Sequence, residues 1–251
     1  MSRTKVIHPK ANKNHLRKLL GWKLAFAARA FVNKRPAVYF NVIKLLKRDR
    51  TSALDQDIDA VITGIWGCAN TFVSAAFKQW NPEVVTTHHH HIPAFAIRAA
   101  KLELPCLVLI RHPVDALAST TTRDRVEFSN RGFSWALKDY ADYYESIIDY
   151  SDHFETADFR EVITDFPAVI KRVNDKFGSS FIAPDPDSEE YKELSERIRW
   201  RGGQRYHTIE DVKQALHEPD LEPDRLRAEK AYEAFCLRNN IPMRKDSKDR
   251  T

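Results

Sequence analysis

The sequence feature that most constrains the fold is a regular alternation of short apolar runs and amphipathic segments, beginning at Ile58. The apolar runs have the length of buried strands, and the segments between them have helical periodicity. We predict strands at 58–64, 83–87 and 105–111, and helices at 70–80, 94–101 and 114–124. Strands joined by crossover helices pair in parallel, so the pattern predicts an α/β fold with a parallel β-sheet flanked by helices.

Further elements are predicted on both sides of this alternation. After it we expect helices at 133–150, 165–178, 188–198, 208–217 and 223–240, with a strand near 153–159. The first of these helices carries an aromatic stripe, which is typical of a core face and includes Phe133, Trp135, Tyr140, Tyr143 and Tyr144. Before residue 58, helices are predicted at 15–31 and 38–46. The chain therefore divides into a helical N-terminal extension, residues 1–57, and an α/β domain, residues 58–251.

The N-terminal extension is strongly basic. Residues 1–50 contain 14 Lys and Arg and one acidic residue, Asp49, although the whole chain has a formal net charge of only +5. Its helices can dock on the α/β domain with a solvated basic face. Alternatively they can bind an anionic membrane, because apolar and cationic residues share the same helices. No base-reading aromatic module accompanies the charge, so we expect no nucleic-acid partner.

Composition and cysteine content indicate a globular protein of a reducing compartment. The chain is 43% hydrophobic and 30% charged, and no apolar run approaches the roughly 20 residues of a membrane span. Its three cysteines are odd in number and widely spaced, which favours buried free thiols: Cys68, Cys106 and Cys236. We therefore expect a cytoplasmic protein, with peripheral contact at the inner membrane face as one role of the basic helices.

The segment Leu107–Ser119 carries the clearest sign of a ligand site. Its apolar run delivers Arg111 at the carboxyl end of a predicted strand, and Pro113 stands where a helix would begin. Ser119 follows two turns into that helix, where it could share an anion with Arg111. A guanidinium, a helix N-terminus and a hydroxyl together can bind an anion. The alternative is a strand–turn–helix corner whose arginine is only solvated.

An earlier segment has the pattern of a phosphate-binding loop. A strand ends at Gly64, residues 65–69 form a loop, and Asn70 opens a helix. Backbone N–H groups in such a loop can cradle a phosphate, which makes the predicted sheet P-loop-like. A nucleotide kinase would need a lysine immediately before Thr71, and Asn70 occupies that position. This residue argues against an ATP or GTP kinase.

Three segments together resemble sulfotransferases that use 3′-phosphoadenosine 5′-phosphosulfate (PAPS). The run Cys68-Ala69-Asn70-Thr71-Phe72 is similar to the Ser-Gly-Asn-Thr-Trp or Ser-Gly-Thr-Thr-Trp loop of that family. Arg111 to Ser119 matches its Arg-x-Pro-x-x-x-x-x-Ser segment, and His91-Ile92-Pro93 resembles the His-Leu-Pro that carries the catalytic base in cytosolic members. The resemblance covers roughly residues 58–180 and implies a P-loop-type α/β fold with extra N- and C-terminal helices.

The resemblance implies a nucleotide site with a role for each matching residue. The backbone of the loop would hold the 5′-phosphosulfate of PAPS, through Gly67, Cys68, Ala69, Asn70 and Thr71. The Thr71 hydroxyl would add one more donor. Arg111 and Ser119 would grip the 3′-phosphate. PAPS would be the donor co-substrate, and no metal is expected.

Aromatic and basic residues would complete this nucleotide site. Phe72 would stack on adenine where the family has tryptophan, unless it is an ordinary core residue of its helix. Phe159 would cover the edge of the adenine. Arg201 and Gly202 lie in a segment similar to the Arg-Lys-Gly loop that closes over the 3′-phosphate in cytosolic members. An exposed basic turn explains this last segment equally well.

The histidine run His88–His91 supplies the candidate catalytic groups. By the resemblance His91 would be the general base. On an extended segment alternate side chains share a side, so His89 would point the same way and stand in for the lysine of cytosolic members. A histidine titrates close to neutral pH and suits either purpose. A metal site, an affinity tag and a merely exposed run are the alternatives, although no nearby carboxylate or cysteine completes a ligand set.

Two loop positions depart from the family pattern. Gly67 occupies the place of a lysine or arginine that would neutralise the leaving group, and Ala69 replaces the usual glycine. His89, the N-terminal arm, or one of three arginines could supply the missing charge: Arg98, Arg123 and Arg125. Without such a substitute the chain would be a weak enzyme or a binding protein.

The sequence therefore predicts a cytoplasmic transferase that moves a sulfuryl group from PAPS to an acceptor hydroxyl. The basic N-terminal extension suggests a glycan or lipid-linked acceptor, and the oligomeric state is left open. A nucleotide-binding pseudoenzyme or regulatory protein without transfer activity is the alternative function. A P-loop kinase is a third hypothesis, disfavoured by Asn70.

Overall fold

The computed structural model describes residues 31, 35–45, 58–87, 91–122, 126–200 and 207–243. Its helices, numbered here in chain order, are α1 Pro36–Leu45, α2 Asn70–Trp80, α3 Pro93–Lys101, α4 Pro113–Thr121, α5 Asn130–Ile147, α6 Phe159–Thr164, α7 Phe166–Phe177, α8 Glu189–Trp200, α9 Ile209–Leu216 and α10 Glu222–Arg238. Its strands are β1 Ala60–Gly64, β2 Thr86–Thr87, β3 Cys106–Ile110 and β4 Glu155–Asp158. Short 3-10 turns occupy Ile148–His153 and Pro219–Leu221.

In the described part of the chain, four parallel strands form one sheet in the order β2-β1-β3-β4. Every residue of β1 and β3 is buried, which explains why both strands read as continuous apolar runs. Helices cover the sheet, so the predicted α/β class is confirmed.

Most predicted element boundaries agree with the structure to within a few residues, because local capping signals set them. Asp165 caps α7 by accepting from the Ala168 N–H (3.2 Å), and Gly178 ends it in the left-handed conformation at φ 64°. The predicted second strand is shorter than expected. Residues 82–84 form a turn, closed where the Val84 N–H donates to the Asn81 carbonyl (3.2 Å), so pairing begins only at Thr86.

One helix was not anticipated. The sequence predicts a strand reaching Phe159, but β4 stops at Asp158 and α6 begins at Phe159. The Asp158 carboxylate accepts from the Arg160 N–H (3.0 Å) and thereby caps the new helix. The Arg172 side chain then ties β4 to α6, because it binds both Glu155 and Glu161.

The N-terminal extension is described only in part. The predicted helix 15–31 lies outside the described residues except for Phe31, whereas the second one is seen as α1. Phe40 of α1 is buried and packs edge-to-face on Phe95 of α3 at 5.2 Å between ring centroids. This part of the extension therefore docks on the α/β domain.

The predicted aromatic stripe of α5 is mostly core. Phe133, Tyr140, Tyr143 and Tyr144 are at most 1% exposed. Trp135 is the exception, since it remains partly exposed. The three cysteines are free and buried, as predicted. None of the helices in the described ranges is long and apolar enough to cross a membrane.

Candidate functional site

The strand order places a topological switch point between β1 and β3. From β1 the chain moves outward to β2 and then crosses back to β3 on the other side of β1. Ligands of open parallel sheets bind at such a switch point, outside the carboxyl ends of the strands. The loop after Gly64 and the residue Arg111 both lie at this edge, because they directly follow β1 and β3.

Arg111 connects three parts of the site. Its Nη1 donates to the carbonyl of Gly67 at 3.0 Å, across 44 residues of sequence. Its guanidinium carbon also lies 3.8 Å from the centroid of the Phe159 ring, in cation–π contact. Three residues that the sequence analysis selected from separate segments, Gly67, Arg111 and Phe159, are thus brought into direct contact.

Two buried tyrosines of α5 hold the end of β3. The Tyr140 hydroxyl donates to the Arg111 carbonyl (2.6 Å), and the Tyr144 hydroxyl donates to the Leu109 carbonyl (2.8 Å). Sequence reasoning assigned both residues to the core and missed this polar role. The available signal was the choice of tyrosine rather than phenylalanine at buried positions, because a buried hydroxyl requires a partner.

Gly67 lies against α4 so closely that no side chain fits. Its backbone has φ 79°, and a Cβ there would stand 2.3 Å from the Ala116 carbonyl oxygen. A lysine or arginine at position 67 is therefore sterically impossible in this loop.

Arg98, one of the residues proposed to supply the missing charge, packs instead against α1, with its guanidinium 5.0 Å from the Phe40 ring centroid.

The start of α2 has the properties of an anion site. Ala69, its N-cap residue, is left-handed (φ 71°, ψ 15°) and supplies no side-chain acceptor. Among the described residues, no acceptor is found for the backbone N–H groups of Asn70, Thr71 and Phe72. Unpaired N–H groups at a helix N-terminus favour a negatively charged ligand. Thr71 is also partly exposed.

Asn70 closes the loop instead of facing a ligand. Its side chain is buried, and its Nδ2 donates to the carbonyls of Gly64 (3.3 Å) and Ile65 (2.9 Å). These bonds join the end of β1 to the start of α2. A neutral amide thus stabilises the loop at the position where a kinase carries lysine.

Cys68 contributes only backbone to the surface of the loop. Its side chain is fully buried, with Sγ 3.7 Å from the Tyr144 hydroxyl. Burial raises the pKa of the Cys68 thiol to about 12, which keeps it protonated near neutral pH. The thiol is therefore unsuited to act as a nucleophile.

Phe72 packs as a core residue. It is 7% exposed, and its ring meets those of Phe166 and Tyr191 edge-to-face, each at 6.0 Å between centroids. These contacts account for Phe72 without a ligand. They agree with the alternative in the sequence analysis, in which Phe72 is an ordinary core residue of its helix.

Ser119 lies on the partly exposed side of α4, together with Asp115. Asp115 pairs with Lys213 of α9 at 2.5 Å, and Lys213 is only 6% exposed. A lysine buried to this degree is unusual and needs a charged partner. The sequence analysis did not select Lys213, although a lysine between the apolar residues Val212 and Leu216 on a short amphipathic helix was a usable signal.

His91 is held at the carboxyl end of β1. Its Nδ1 lies 2.7 Å from the Gly64 carbonyl oxygen. A carbonyl only accepts hydrogen bonds, so Nδ1 carries the hydrogen, and a neutral His91 has its lone pair on Nε2. The loop residue Trp66 meets the His91 ring edge-to-face, with 6.2 Å between centroids.

The remaining candidates lie outside the described residues: His89, Arg123, Arg125, Arg201 and Gly202. In the described ranges, no group of three or more His, Cys, Asp or Glu side chains is placed to hold a metal ion.

Comparisons of the chain with protein-family models, with curated proteins and with solved structures found no match. What this site can do chemically therefore has to follow from its own residues.

Proposed function

We propose that the protein is a sulfotransferase that moves a sulfuryl group from PAPS to an acceptor hydroxyl. The observation that carries this proposal is the contact of Arg111 with both Gly67 and Phe159 at the switch point of the sheet. It joins the predicted 3′-phosphate residue to the predicted 5′-phosphosulfate loop. An adenosine carrying two separated anionic groups fits a guanidinium beside an uncapped helix N-terminus.

The proposed chemistry is an in-line displacement at sulfur. The acceptor oxygen forms a bond to sulfur, the bond from sulfur to the 5′-phosphate oxygen breaks, and adenosine 3′,5′-bisphosphate leaves. His91 is suited to take the hydroxyl proton on Nε2, because its Nδ1 hydrogen is committed to the Gly64 carbonyl. The N–H groups at the start of α2 would stabilise charge on the transferring group.

The absence of a lysine or arginine at position 67 is the feature that favours a second candidate function. Position 67 admits no side chain, so the charge usual there must come from elsewhere in the molecule. Arg111, with its Nη1 at 3.0 Å from the Gly67 carbonyl, is a described cation that contacts this position. If it cannot serve both phosphates, the protein would bind the nucleotide without transferring the sulfuryl group.

Nucleotide binding is tested by thermal stabilisation with adenosine 3′,5′-bisphosphate. At a ligand concentration of 100 Kd we expect about 2.7 kcal/mol of stabilisation, which raises the melting temperature by roughly 5–10 °C. Arg111→Ala should abolish the increase, because it removes the guanidinium at the loop. The matched control is Arg238→Ala, which removes an exposed arginine paired with Asp152. Equal stabilisation of both variants would contradict the proposed site.

Catalysis is tested with His91→Asn and labelled PAPS. Asparagine can keep the hydrogen bond to the Gly64 carbonyl through its amide, but it has no equivalent of Nε2. We expect nucleotide binding to survive while transfer falls by about 10²–10⁴-fold. Unchanged transfer would exclude His91 as the base. No transfer by the native protein, despite nucleotide binding, would favour the non-catalytic function.

A further inference from the structure

Two tryptophans form a row with the candidate base. The Trp66 ring stacks on Trp135 with 5.1 Å between centroids and 25° between planes. Trp66 also meets the His91 ring edge-to-face, with 6.2 Å between centroids. All three side chains are partly exposed. The row therefore extends a partly accessible aromatic surface from the reacting histidine to α5.

Trp135 is set apart from the rest of its helix. The other aromatic residues of the α5 stripe are at most 1% exposed, and they pack in the core or hold β3. Trp135 instead is only partly buried: it packs against the core and stacks on Trp66 of the loop that follows β1. Tryptophan pairs that keep accessible surface beside a polar reacting group are suited to binding flat, apolar ring faces.

Two of the charged side chains near Trp135 on α5 have partners of opposite sign. Lys138 pairs with Asp224 at 3.2 Å, and Arg131 pairs with Glu127 at 3.9 Å. Neither pair adds net charge beside the tryptophans.

We infer that Trp66 and Trp135 form the acceptor-binding wall, and that the acceptor carries its hydroxyl on a ring with an apolar face. This inference rests on the proposed sulfotransferase function. An acceptor hydroxyl bound at His91 lies beside Trp66, because the two ring centroids are 6.2 Å apart, so the ring that carries the hydroxyl can meet the accessible surface of the two tryptophans. Both a phenol and a pyranose sugar have this chemistry.

The kinetic test compares acceptors and Trp135 variants. Native protein and Trp135→Ala are assayed with labelled PAPS and three acceptors: phenol, methyl β-glucopyranoside and 1-butanol. We expect transfer to at least one ring acceptor in preference to butanol. The better of the two ring acceptors shows whether the natural acceptor carries a phenol or a pyranose ring. Trp135→Ala should raise the KM of that acceptor by about tenfold and leave the KM of PAPS within about twofold. Trp135→Phe should restore most of the difference.

A matched control is Trp80→Phe, because Trp80 is also partly buried but packs on Tyr191 at the far end of α2. Its acceptor KM should not change. An unchanged KM in Trp135→Ala, or butanol as good an acceptor as either ring compound, overturns the inference.

A binding measurement separates this inference from the proposed function. Saturation-transfer NMR follows phenol and the pyranoside on the native protein, with and without adenosine 3′,5′-bisphosphate. Ring contact that disappears in Trp135→Ala supports the aromatic wall even if nucleotide binding and transfer both fail. Absence of ring contact in the native protein overturns the wall, whatever the result with the nucleotide.

Discussion

At the scale of single residues, Gly67 is constrained both by its backbone conformation and by its neighbours. It combines a left-handed backbone with a position where a Cβ would lie 2.3 Å from the Ala116 carbonyl and 2.9 Å from the Thr120 hydroxyl. Backbone atoms of a packed helix cannot move aside cheaply. The missing loop cation is thus a consequence of how tightly the loop packs on α4.

Replacement of Gly67 by alanine should destabilise the protein by about 3 kcal/mol or more, because left-handed strain and a backbone clash add. The matched variant is Gly178→Ala, which has a similar φ of 64° but open space around the new Cβ. That change should cost only about 1–2 kcal/mol. Urea unfolding of both variants measures the difference, and equal losses would show that the contact with α4 is not tight.

At the scale of elements, α5 positions the end of β3. Tyr143 and Tyr144 follow Tyr140 by three and four residues, so one helix face presents three hydroxyls to the sheet. Their partners differ: Tyr140 binds the Arg111 carbonyl, Tyr144 the Leu109 carbonyl, and Tyr143 the Thr63 hydroxyl at 2.8 Å. Of these three bonds, only that of Tyr140 acts directly on the candidate nucleotide residue.

Tyr140→Phe should therefore affect ligand binding as well as stability. The Arg111 carbonyl would lose its hydrogen bond, at a cost of about 1–3 kcal/mol, and Arg111 would be held less firmly. We expect adenosine 3′,5′-bisphosphate to bind about tenfold more weakly by calorimetry. Tyr143→Phe is the control: it should lose comparable stability but retain affinity within about twofold. Equal affinity of the two variants would remove Tyr140 from the site.

At the scale of the whole molecule, the core contains many weak acids in neutral form. Burial raises the pKa of Tyr140, Tyr143 and Tyr144 above the ordinary value of 10.0. It likewise raises the pKa of Cys68 and Cys236 from 9.0 to about 12. Ionisation of any of these groups in place would put an uncompensated charge in the core.

Stability should therefore fall at alkaline pH. The folded pKa values exceed the unfolded ones, so this contribution is complete below about pH 9 and is lost as the pH rises toward the folded values. Each group adds a slope of up to about 1.4 kcal/mol per pH unit. Urea unfolding at pH 8, 9, 10 and 11 measures the loss, and Tyr144→Phe should reduce the slope. A constant free energy of unfolding over this range would contradict the burial of these groups.

Local signals in the sequence predicted much of the fold and supplied candidate site residues, some of which the structure brings into contact. Arg111 was selected by its position after an apolar strand and before a proline-started helix, and His91 by the resemblance of His91-Ile92-Pro93 to a family motif; both lie at the same sheet edge. Phe72 could not be assigned from spacing, because a helix face that meets a ligand and one that meets other helices have the same period. Lys213 and the tyrosine hydroxyls were missed, since their partners are distant in sequence.

The sequence by itself determined the order of strands and helices, the parallel sheet and the ends of the capped helices. These depend on hydrophobic periodicity and on residues within one or two turns of each other. Only the tertiary structure decided that Arg111 contacts Gly67, that no side chain fits at position 67, and that the partly exposed Trp135 stacks on Trp66. These contacts join segments distant in sequence, and packing in three dimensions selects them from many that the local pattern allows.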